Sequence, residues 1–548
     1  MRRIKLSPRV ADFLIGLGLF TATLVVLVLL SRLTAIGAHE QKWTGAARAV
    51  GLWIDRAAHE GRAVLGGKLR DPMLAPVQAQ CQLPALLSGY VWEVASHRHT
   101  WMTDTLGLRF GFLVFNALGV AMLYALVVQA WGRRVALFAC AFYLLVPRSL
   151  HMLVGATGDG LAITAWLLLA AFYLRSLRGG SIGWTIATGA VFGLSLALST
   201  SVLWLAGILI AHTIWARRAE AREAAKDGAI TVPSALLAAI VIAPVVFLLC
   251  TPWLWNETGI RMRQLFTTSI APSIVPTYYA GMLVAAPPLP KGFALRSVVL
   301  SLPTITVVLT GAGAAVLARR WWMARREQGE PERLSLGALI ALAIVFAVAW
   351  PAISPDVLAV YPPRWILAFP WLGALAGVGL DACIGMASEL LASRSARLRG
   401  AAIVGGASLI LCVPAIESVR SPSTLAAAFS PLSGGARSVI ESRTLPVNDA
   451  AMVAQIAPSI DEQARPSISI WAPDVGADVW DVLRANGRLR TVVRAAGNAR
   501  DADMVLVSGG AGGEAVVRAL LLRNGTPPAL LGVVARDGAV LLSLYRVK

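Results

Sequence analysis

Charged residues are scarce in this chain, and their scarcity limits what the protein can be. Asp, Glu, Lys and Arg make up only 14% of the 548 residues, whereas hydrophobic residues make up 57%. The mean hydropathy is +0.68. About a quarter of the residues of an ordinary soluble domain are charged. The composition therefore excludes a typical soluble enzyme and predicts a polytopic membrane protein.

Cysteine is also scarce, with five residues in the whole chain. Four of them (Cys140, Cys250, Cys383 and Cys412) lie in apolar runs, and only Cys81 falls in a segment predicted to lie outside the membrane. This number and spacing exclude a disulfide framework. No Cys or His group has the spacing of a zinc site either.

Apolar runs long enough to cross a bilayer recur along the first three quarters of the chain. They predict eleven helical spans, near residues 11–31, 107–130, 134–147, 156–174, 182–198, 201–215, 232–252, 297–318, 335–350, 365–388 and 400–416. The first run follows basic residues but lacks a small-residue cleavage site, so we expect an uncleaved helix.

The net charge of +19 comes largely from short Lys and Arg clusters between these spans. With eleven spans, six clusters fall on one side of the membrane; they begin at Arg2, Arg133, Arg175, Arg217, Arg319 and Arg394. The positive-inside rule assigns that side to the cytoplasm, with the N-terminus there and the C-terminus outside. No basic stripe interleaved with aromatic residues follows the chain, so we expect no nucleic-acid partner.

Two domains are expected from the pattern of spans. The first, 1–417, is transmembrane and carries external loops 32–106 and 253–296. The second, 418–548, alternates strand and helix patterns and ends in a hairpin around Asp537–Gly538, which predicts an external α/β domain. It lacks a phosphate loop, a metal cluster and a nucleophile motif, so we expect it to bind a partner or to support the structure.

The external segments, rather than the spans, hold most of the ionisable residues. A transporter or lipid flippase should carry charges at mid-bilayer and internal repeats, so this pattern favours chemistry at the outer surface. Within the first loop, 44–67 has helical apolar spacing from Ala46 through Val50 to Trp53. We expect an amphipathic helix lying on the membrane, the alternative being a helix on the protein's own surface.

Candidate site residues stand where spans meet the outer side. His39 and Glu40 follow the first span, and Asp159 opens the fourth. Loop carboxylates are commonly only solvated, and Asp159 also fits a helix N-cap. Arg364 opens the tenth span, where it could bind phosphate or anchor the helix at the interface.

The second external loop offers a further group of candidates for an anionic headgroup. These are Arg261, Arg263, Tyr279 and Lys291. The alternative for the aromatic residues of this loop is an interfacial belt with rigid turns.

Three stretches resemble a known superfamily. Residues 106–177 run from an Arg-bearing second span through Gly132-Arg133-Arg134 to Asp159; TPWLWNETGIRMRQLF precedes YYAGMLVAAPPLP; and YPPRWILAFPWLGALAGVGL opens a glycine-rich late span. Together they resemble the GT-C superfamily of polytopic glycosyltransferases. The resemblance is to the branch with the protein O-mannosyltransferases (glycosyltransferase family 39) and the lipid A aminoarabinose transferases.

The resemblance implies inverting transfer of a sugar from a polyprenyl-phosphate carrier to a protein, lipid or glycan acceptor, on the periplasmic face of a bacterial inner membrane. It assigns Glu40 as general base or acceptor-positioning group and Asp159 as a second acid. Arg364, with Arg261 or Arg263, would face the lipid phosphate, and His39 and Tyr279 would line the substrate site.

Two departures from the family pattern stand out. His39 replaces the Asp of an Asp-Glu pair, and Cys81 replaces the His of a His-Pro-Pro-Leu element, with His97 and His99 nearby but not aligned. They leave altered acceptor use or a catalytically degenerate scaffold as alternatives, beside a transporter or flippase. No cofactor is implied by the residues, and a divalent metal is left open.

Overall fold

The computed structural model describes most of the chain. The described residues are 7–34, 38–61, 82–179, 181–216, 234–270, 277–279, 282–284, 292–324, 331–349, 364–419, 435–441, 450–473, 475, 477–485, 487–509, 511–536 and 538–547. The predicted site residue Cys81 lies outside them. The side chains of His39, Tyr279 and Arg364 also lie outside, although the backbone at these three positions is described.

Between residues 7 and 249, the described part of the chain forms nine α-helices. They are α1 (Pro8–Leu33), α2 (Ala38–Glu60), α3 (Gln82–Val91), α4 (Asp104–Leu145), α5 (Pro147–Val154), α6 (Gly158–Gly179), α7 (Ile182–Leu198), α8 (Val202–Ala216) and α9 (Ser234–Leu249). A π-helix, Trp92–Arg98, continues α3.

The second half of the membrane part contains a small hairpin and further helices. They are α10 (Thr258–Ile270), β1 (Thr277–Tyr279), β2 (Met282–Val284), α11 (Phe293–Ser301), α12 (Thr304–Ala324), α13 (Pro331–Ile344), α14 (Phe369–Leu390) and α15 (Ala396–Val419). Short turns of 3₁₀-helix, Pro252–Trp255 and Arg364–Ala368, precede α10 and α14.

Every predicted span falls on a helix. Within the described residues, five helices are long and apolar enough to cross a membrane: α1, α4, α6, Trp365–Leu390 and Ala396–Ser418. Four shorter apolar helices follow four of the remaining predictions. Helices α11 and α12 are apolar enough to cross a membrane only when taken together, and they are bent by 117°, as in a broken span or a re-entrant loop. The predicted polytopic helical fold is therefore confirmed, whereas the count of eleven spans stays a prediction.

Helix α4 contains two predicted spans in one element. Its 42 residues are interrupted at Gly132, whose φ of 83° lies in the left-handed region that glycine adopts without steric cost. The thiol of Cys140 lies 3.5 Å from the carbonyl oxygen of Val120, which places the two halves side by side. Gly132 is thus the turn between two spans.

The two ends of the helical bundle are called the Arg133 end and the Glu40 end. At the Arg133 end, Arg133 donates to Asp12 at the start of α1 at 2.5 Å, and Arg134 donates to Asp381 of α14 at 2.5 Å. At the Glu40 end, the last turn of α1 meets the first turns of α2 and α4. The two ends are separated by the length of α1, about 40 Å at 1.5 Å per residue.

The apolar side of α2 packs against protein. Ala46 and Val50 are buried in a cluster with Phe247 of α9 and Leu254, and Trp53 belongs to the same cluster. The predicted amphipathic helix is therefore present, but the expectation that this side faces the membrane is wrong. The apolar side of α2 is buried in the bundle because neighbouring helices supply apolar surface of matching shape.

The C-terminal part forms an α/β unit with one mixed sheet. Its elements are α16 (Gly435–Glu441), α17 (Ala450–Asp461), β3 (Ser467–Trp471), α18 (Ala477–Ala485), β4 (Val492–Ala495), β5 (Met504–Ser508), α19 (Ala511–Asn524), β6 (Ala529–Arg536) and β7 (Ala539–Arg546). The strand order is β4-β3-β5-β7-β6, with β3 parallel to β4 and β5 and with β7 antiparallel to its neighbours.

Both faces of this sheet are covered, as the alternation along β5 shows. Met504 and Leu506 point to the core shared with α17 and α18, whereas Val505 and Val507 point to the core shared with α19. Successive side chains of a strand face opposite sides. The predicted α/β fold of this part is confirmed, whereas its position outside the membrane stays a prediction. The domain boundary at 417/418 also stays a prediction, and α15 runs through it.

Helix α11 packs against both parts of the molecule. Ala294 and Val298 belong to the main core of the bundle, and Leu300 packs against the core of the C-terminal sheet. Phe293 packs against both cores. Two hydrogen bonds add to this junction, from Arg488 to the carbonyl of Arg32 and from Arg536 to the carbonyl of Glu417.

Asp461 joins α17 to the start of β4. Its carboxylate accepts hydrogen bonds from the backbone N–H groups of Arg490 and Thr491 and from the Thr491 hydroxyl, at 2.8 to 3.1 Å. Burial raises the pKa of this carboxyl, but the hydrogen bonds from Thr491 and Arg490 outweigh burial, so the pKa lies below its ordinary value. The charged form is therefore stabilised by the fold.

We predict that Asp461→Asn lowers the free energy of unfolding of the protein by about 1 kcal/mol at pH 7. Because the folded pKa is lower than the unfolded one, the stabilisation is present above about pH 4 and is lost as the pH falls through the folded pKa. Pulse proteolysis of the purified full-length protein in urea measures it. The matched control is Glu462→Gln, at an exposed neighbour; an equal loss in both variants would contradict the prediction.

Candidate active site

The site is built where three helices meet at the Glu40 end. Helix α1 ends at Leu33, and after Thr34 the chain enters α2, whose first turn carries Glu40. Helix α4 begins at Asp104 and carries Arg109 in its second turn. The loop between α5 and α6, with Gly155 and Ala156, closes over both side chains.

A buried ion pair between Glu40 and Arg109 forms the centre of this region. Arg109 is fully buried and Glu40 is 8% exposed. Nε of Arg109 donates to Oε2 of Glu40 and Nη2 donates to Oε1, both at 2.8 Å. The pair is therefore bidentate, the strongest arrangement for these two groups.

The second terminal nitrogen of Arg109 holds the end of α1. Nη1 donates to the carbonyl of Ser31 at 3.0 Å, and to the carbonyl and hydroxyl of Thr34 at 3.0 and 3.1 Å. The last carbonyls of a helix have no partner within it. Arg109 supplies that partner at the place where the chain leaves the first span.

The α5–α6 loop supplies a further donor to Glu40. The backbone N–H of Ala156 donates to Oε2 at 2.9 Å. A Cβ atom added at Gly155 would lie 3.2 Å from the carboxyl carbon of Glu40. A larger residue at position 155 would therefore press on the ion pair, so glycine permits the loop to approach it this closely.

Asp159 lies beside this arrangement, in the first turn of α6 and not at its N-cap. Ala156 precedes it by three residues, a stretch of at most about 11 Å. The loop thus brings Glu40 and Asp159 to one place, although 119 positions separate them in sequence. Within the described residues, Asp159 makes no hydrogen bond or ion pair, and it interacts electrostatically with Arg148 and His151.

Arg148 and His151 come from α5, one helical turn apart on the same side. The guanidinium of Arg148 lies 5.2 Å from the ring centroid of Trp365, at the start of the 3₁₀ turn before α14. Cations over a tryptophan face are attracted by the ring electrons. A basic group therefore faces Asp159 at the Glu40 end.

Two predicted residues of the second external loop, Arg261 and Arg263, lie on α10. Arg261 donates to the carbonyl of Trp253 at 2.6 Å, lies 3.5 Å from the carboxylate of Glu257 and stacks 5.3 Å from the Trp253 ring centroid. These contacts hold it within its own turn. Arg263 is exposed on α10. A role for either in binding phosphate stays a prediction.

The other predicted positions are described only in part. His39 lies in the first turn of α2, Tyr279 ends β1, and Arg364 begins the turn that carries Trp365. Their predicted roles are untested. His97 and His99 are exposed and stack on Trp92 and Trp101. Among the described residues, no three His, Cys, Asp or Glu side chains are grouped to hold a metal ion.

Sequence reasoning assigned no function to Arg109, Arg148, His151 or Trp365. Arg109 carries a recognisable signal, since a lone charge inside an apolar span normally has a partner. Arg148 and His151 were hidden because the boundary between two spans is also where interfacial cations lie. Only the folded chain places Trp365 against Arg148.

Comparison with known proteins covers this part of the chain. Residues 100–248 match the family model described as dolichyl-phosphate-mannose-protein mannosyltransferase, a match that includes Arg109, Arg148 and Asp159. The undecaprenyl phosphate-alpha-4-amino-4-deoxy-L-arabinose arabinosyl transferase of Pseudomonas aeruginosa is 28% identical to this chain over 218 residues. The resemblance to GT-C glycosyltransferases is confirmed.

These matches cover only part of the sequences or have low structural similarity, which limits the conclusions that they support. The Pseudomonas relative matches 37% of this chain, and the chain covers 36% of that protein's length. Among solved structures, ArnT from Cupriavidus metallidurans has a TM-score of 0.45 at 16% identity, covering 96% of this chain and 97% of that chain. The Archaeoglobus fulgidus oligosaccharyltransferase has a TM-score of 0.42 at 11% identity, covering 88% and 64%. Scores this low add no argument about the site.

We predict that Arg109→Met destabilises the protein by about 3 to 5 kcal/mol, because Glu40 is left buried without its partner. Adding Glu40→Gln removes the stranded charge, so the double variant should lose less than Arg109→Met alone. Unfolding of the detergent-purified protein measures both. The control is Arg56→Met, which breaks the exposed Arg56–Glu60 pair of 3.3 Å and should cost at most about 1 kcal/mol.

Proposed function

We propose that this protein is a membrane glycosyltransferase that moves a sugar from a polyprenyl-phosphate carrier to an acceptor at the Glu40 end of the bundle. The observation that carries the proposal is the loop from Gly155 to Asp159. It hydrogen-bonds to Glu40 and presents Asp159 beside the basic residues of α5. The family model and the Pseudomonas relative favour sugar transfer over the transporter or flippase alternative.

The reaction forms one bond and breaks another at the anomeric carbon of the sugar. An acceptor hydroxyl oxygen attacks that carbon, while the bond from it to the phosphate oxygen breaks. The electron pair leaves with the phosphate, and the hydroxyl proton passes to a carboxylate. The products are a glycosylated acceptor with inverted anomeric configuration and the polyprenyl phosphate.

Asp159 is the carboxylate that we assign to the proton. Its oxygens are not engaged by hydrogen bonds from the described residues, so they are available to an acceptor hydroxyl. A base within hydrogen-bond reach of the attacking group lowers the barrier to attack. The half-buried position excludes part of the surrounding water and strengthens this contact.

Glu40 has a different role, because both of its oxygens already accept hydrogen bonds from Arg109 and Ala156. It holds the α5–α6 loop, and through it Asp159, against the end of the first span. Of the two roles expected for Glu40, the structure favours positioning over proton transfer. Arg364 remains our candidate for the carrier phosphate.

The orientation follows from the basic clusters of the sequence. If the Arg133 end lies in the cytoplasm, the Glu40 end and the C-terminal α/β unit face the periplasm. A polyprenyl carrier then reaches the site sideways from the outer leaflet. The acceptor is a protein, lipid or glycan on that face, and nothing in the proposal requires nucleic acid.

We predict that Asp159→Asn reduces sugar transfer by about 100-fold or more without a matching loss of thermal stability. Glu40→Gln should reduce transfer together with stability. The assay uses purified protein in nanodiscs, undecaprenyl-phosphate-linked aminoarabinose or mannose, and membrane extract as acceptor. The control is Glu60→Gln, an exposed carboxylate on α2. Full transfer by Asp159→Asn would refute its role, and no transfer by the wild type from any such carrier would refute the function.

A further inference from the structure

Asn116 is a fully buried polar residue inside the apolar helix α4. Its side-chain Nδ2 donates to the carbonyl of Leu153, in the last turn of α5, at 2.8 Å. Its Oδ1 is also buried and accepts no hydrogen bond from the described residues. Burying a polar atom without a partner is unfavourable, and a leucine of similar shape would avoid that cost. The hydrogen bond and the packing of the amide therefore have to offset it.

The amide of Asn116 packs directly on Gly160, in the first turn of α6 and next to Asp159. A Cβ atom added at Gly160 would lie 2.6 Å from Oδ1 and 3.0 Å from both Cγ and Nδ2 of the amide. These distances are shorter than the contact of about 3.5 to 4.0 Å that non-bonded carbon atoms prefer. Glycine at position 160 therefore permits the first turn of α6 to approach α4 this closely.

Asn116 consequently touches the chain on both sides of the α5–α6 loop. Its hydrogen bond fixes the end of α5 before the loop, and its packing on Gly160 fixes the start of α6 after the loop. The middle of the loop is fixed separately, because the N–H of Ala156 donates to Glu40. Asp159 lies between Ala156 and Gly160. Contacts from α4 and α2 thus enclose the short stretch that carries the Asp159 carboxylate.

A second close contact joins α4 and α6 further from the loop. Thr164 is 1% exposed, and its hydroxyl donates to the carbonyl of Phe115 at 3.1 Å. A Cβ atom added at Gly119 would collide with the same hydroxyl. Thr164 lies five residues beyond Asp159, about 7.5 Å further along α6. Of these two buried polar contacts, the one at Asn116 includes residues at both ends of the loop, and the one at Thr164 includes neither.

We propose that Asn116 is a positioning residue for Asp159 in the transfer reaction. This inference rests on the function proposed above and deepens it, since the Asp159 carboxylate must stand within hydrogen-bond reach of the acceptor hydroxyl. The amide sets the place of that carboxylate by holding the end of α5 and the first turn of α6 against α4. Because a displacement of about 1 Å can slow a reaction about 100-fold, the amide acts on the rate of the chemical step and not on the binding of the carrier.

The test measures kcat and KM for the undecaprenyl-phosphate-linked sugar with the full-length protein in nanodiscs. Asn116→Leu keeps the volume of the side chain and removes its hydrogen bond, and we expect it to lower kcat by about 10- to 100-fold with the KM for the carrier unchanged. The matched control is Thr164→Val, which likewise keeps the volume and removes the hydrogen bond of the neighbouring contact. Its kcat and KM should equal those of the wild type.

Gly160→Ala supplies a readout besides activity. Alone, its methyl group meets the Asn116 amide, so both the temperature of thermal unfolding and kcat should fall. In the Asn116→Ala background the methyl group has room, so the double variant should unfold at a higher temperature than Gly160→Ala. Its kcat should stay as low as that of Asn116→Ala, because the hydrogen bond to α5 is still missing.

The outcomes separate this inference from the function on which it rests. Full kcat in folded Asn116→Leu, with transfer intact in the wild type, overturns the positioning role and leaves the function standing. An equal loss of kcat in Thr164→Val, or a higher KM at unchanged kcat in Asn116→Leu, overturns it as well. If Asn116→Leu fails to fold, kcat of Asn116→Ala decides in its place. Absence of transfer by the wild type refutes the function and this inference together, whereas a lower kcat confined to the Asn116 and Gly160 variants supports both.

Discussion

The ion pair between Arg109 and Glu40 is the interaction on which the site depends. Two charges taken out of water must satisfy each other and use their remaining hydrogen-bonding capacity. Arg109 does so by donating to the end of α1 as well as to Glu40. Glu40 does so by accepting from Ala156. One buried pair therefore fixes the relative positions of α1, α2, α4 and the α5–α6 loop.

The two arginines at the Glu40 end have contrasting surroundings, and their roles differ accordingly. Arg109 is enclosed and surrounded by protein acceptors, so its hydrogen bonds stabilise the fold. Arg148 is half-buried, lies on an aromatic face and is near a carboxylate that makes no hydrogen bond with the described residues. The first arrangement holds three helices together, whereas the second places a cation beside the carboxylate that we assign to proton transfer.

Much of the fold was predictable from the sequence, because each span is a continuous apolar run and its signal is local. The turn at Gly132 and the hairpin before Gly538 were predictable for the same reason: glycine beside polar residues interrupts a regular pattern. The break between α11 and α12 has a sequence signal in Pro303, but the apolar run on both sides of it predicted one continuous span near 297–318. The packing of α2 depended on partners far away in the chain.

Of the residues at the site, only the two acids were predictable from the sequence. Glu40 and Asp159 stand at the ends of spans, where position alone makes them candidates. Their partners Arg109 and Arg148 lie in or next to apolar runs, and a contact such as Glu40–Arg109, between residues 69 positions apart, cannot be read from periodicity. Family resemblance supplied the acids because it works by aligned positions, but it carried no information on which acid is already saturated by hydrogen bonds.

The contacts of Phe293 and Leu300 on α11 limit where the chain can be divided into independent parts. Since one short helix fills gaps in two hydrophobic cores, cutting the chain after α15 would expose apolar surface on α11. That helix also packs against the turn that carries Trp365. The two parts should therefore unfold together rather than in separate steps. A chimera with a foreign C-terminal unit would need apolar residues in that unit that pack against Leu300 in the same way.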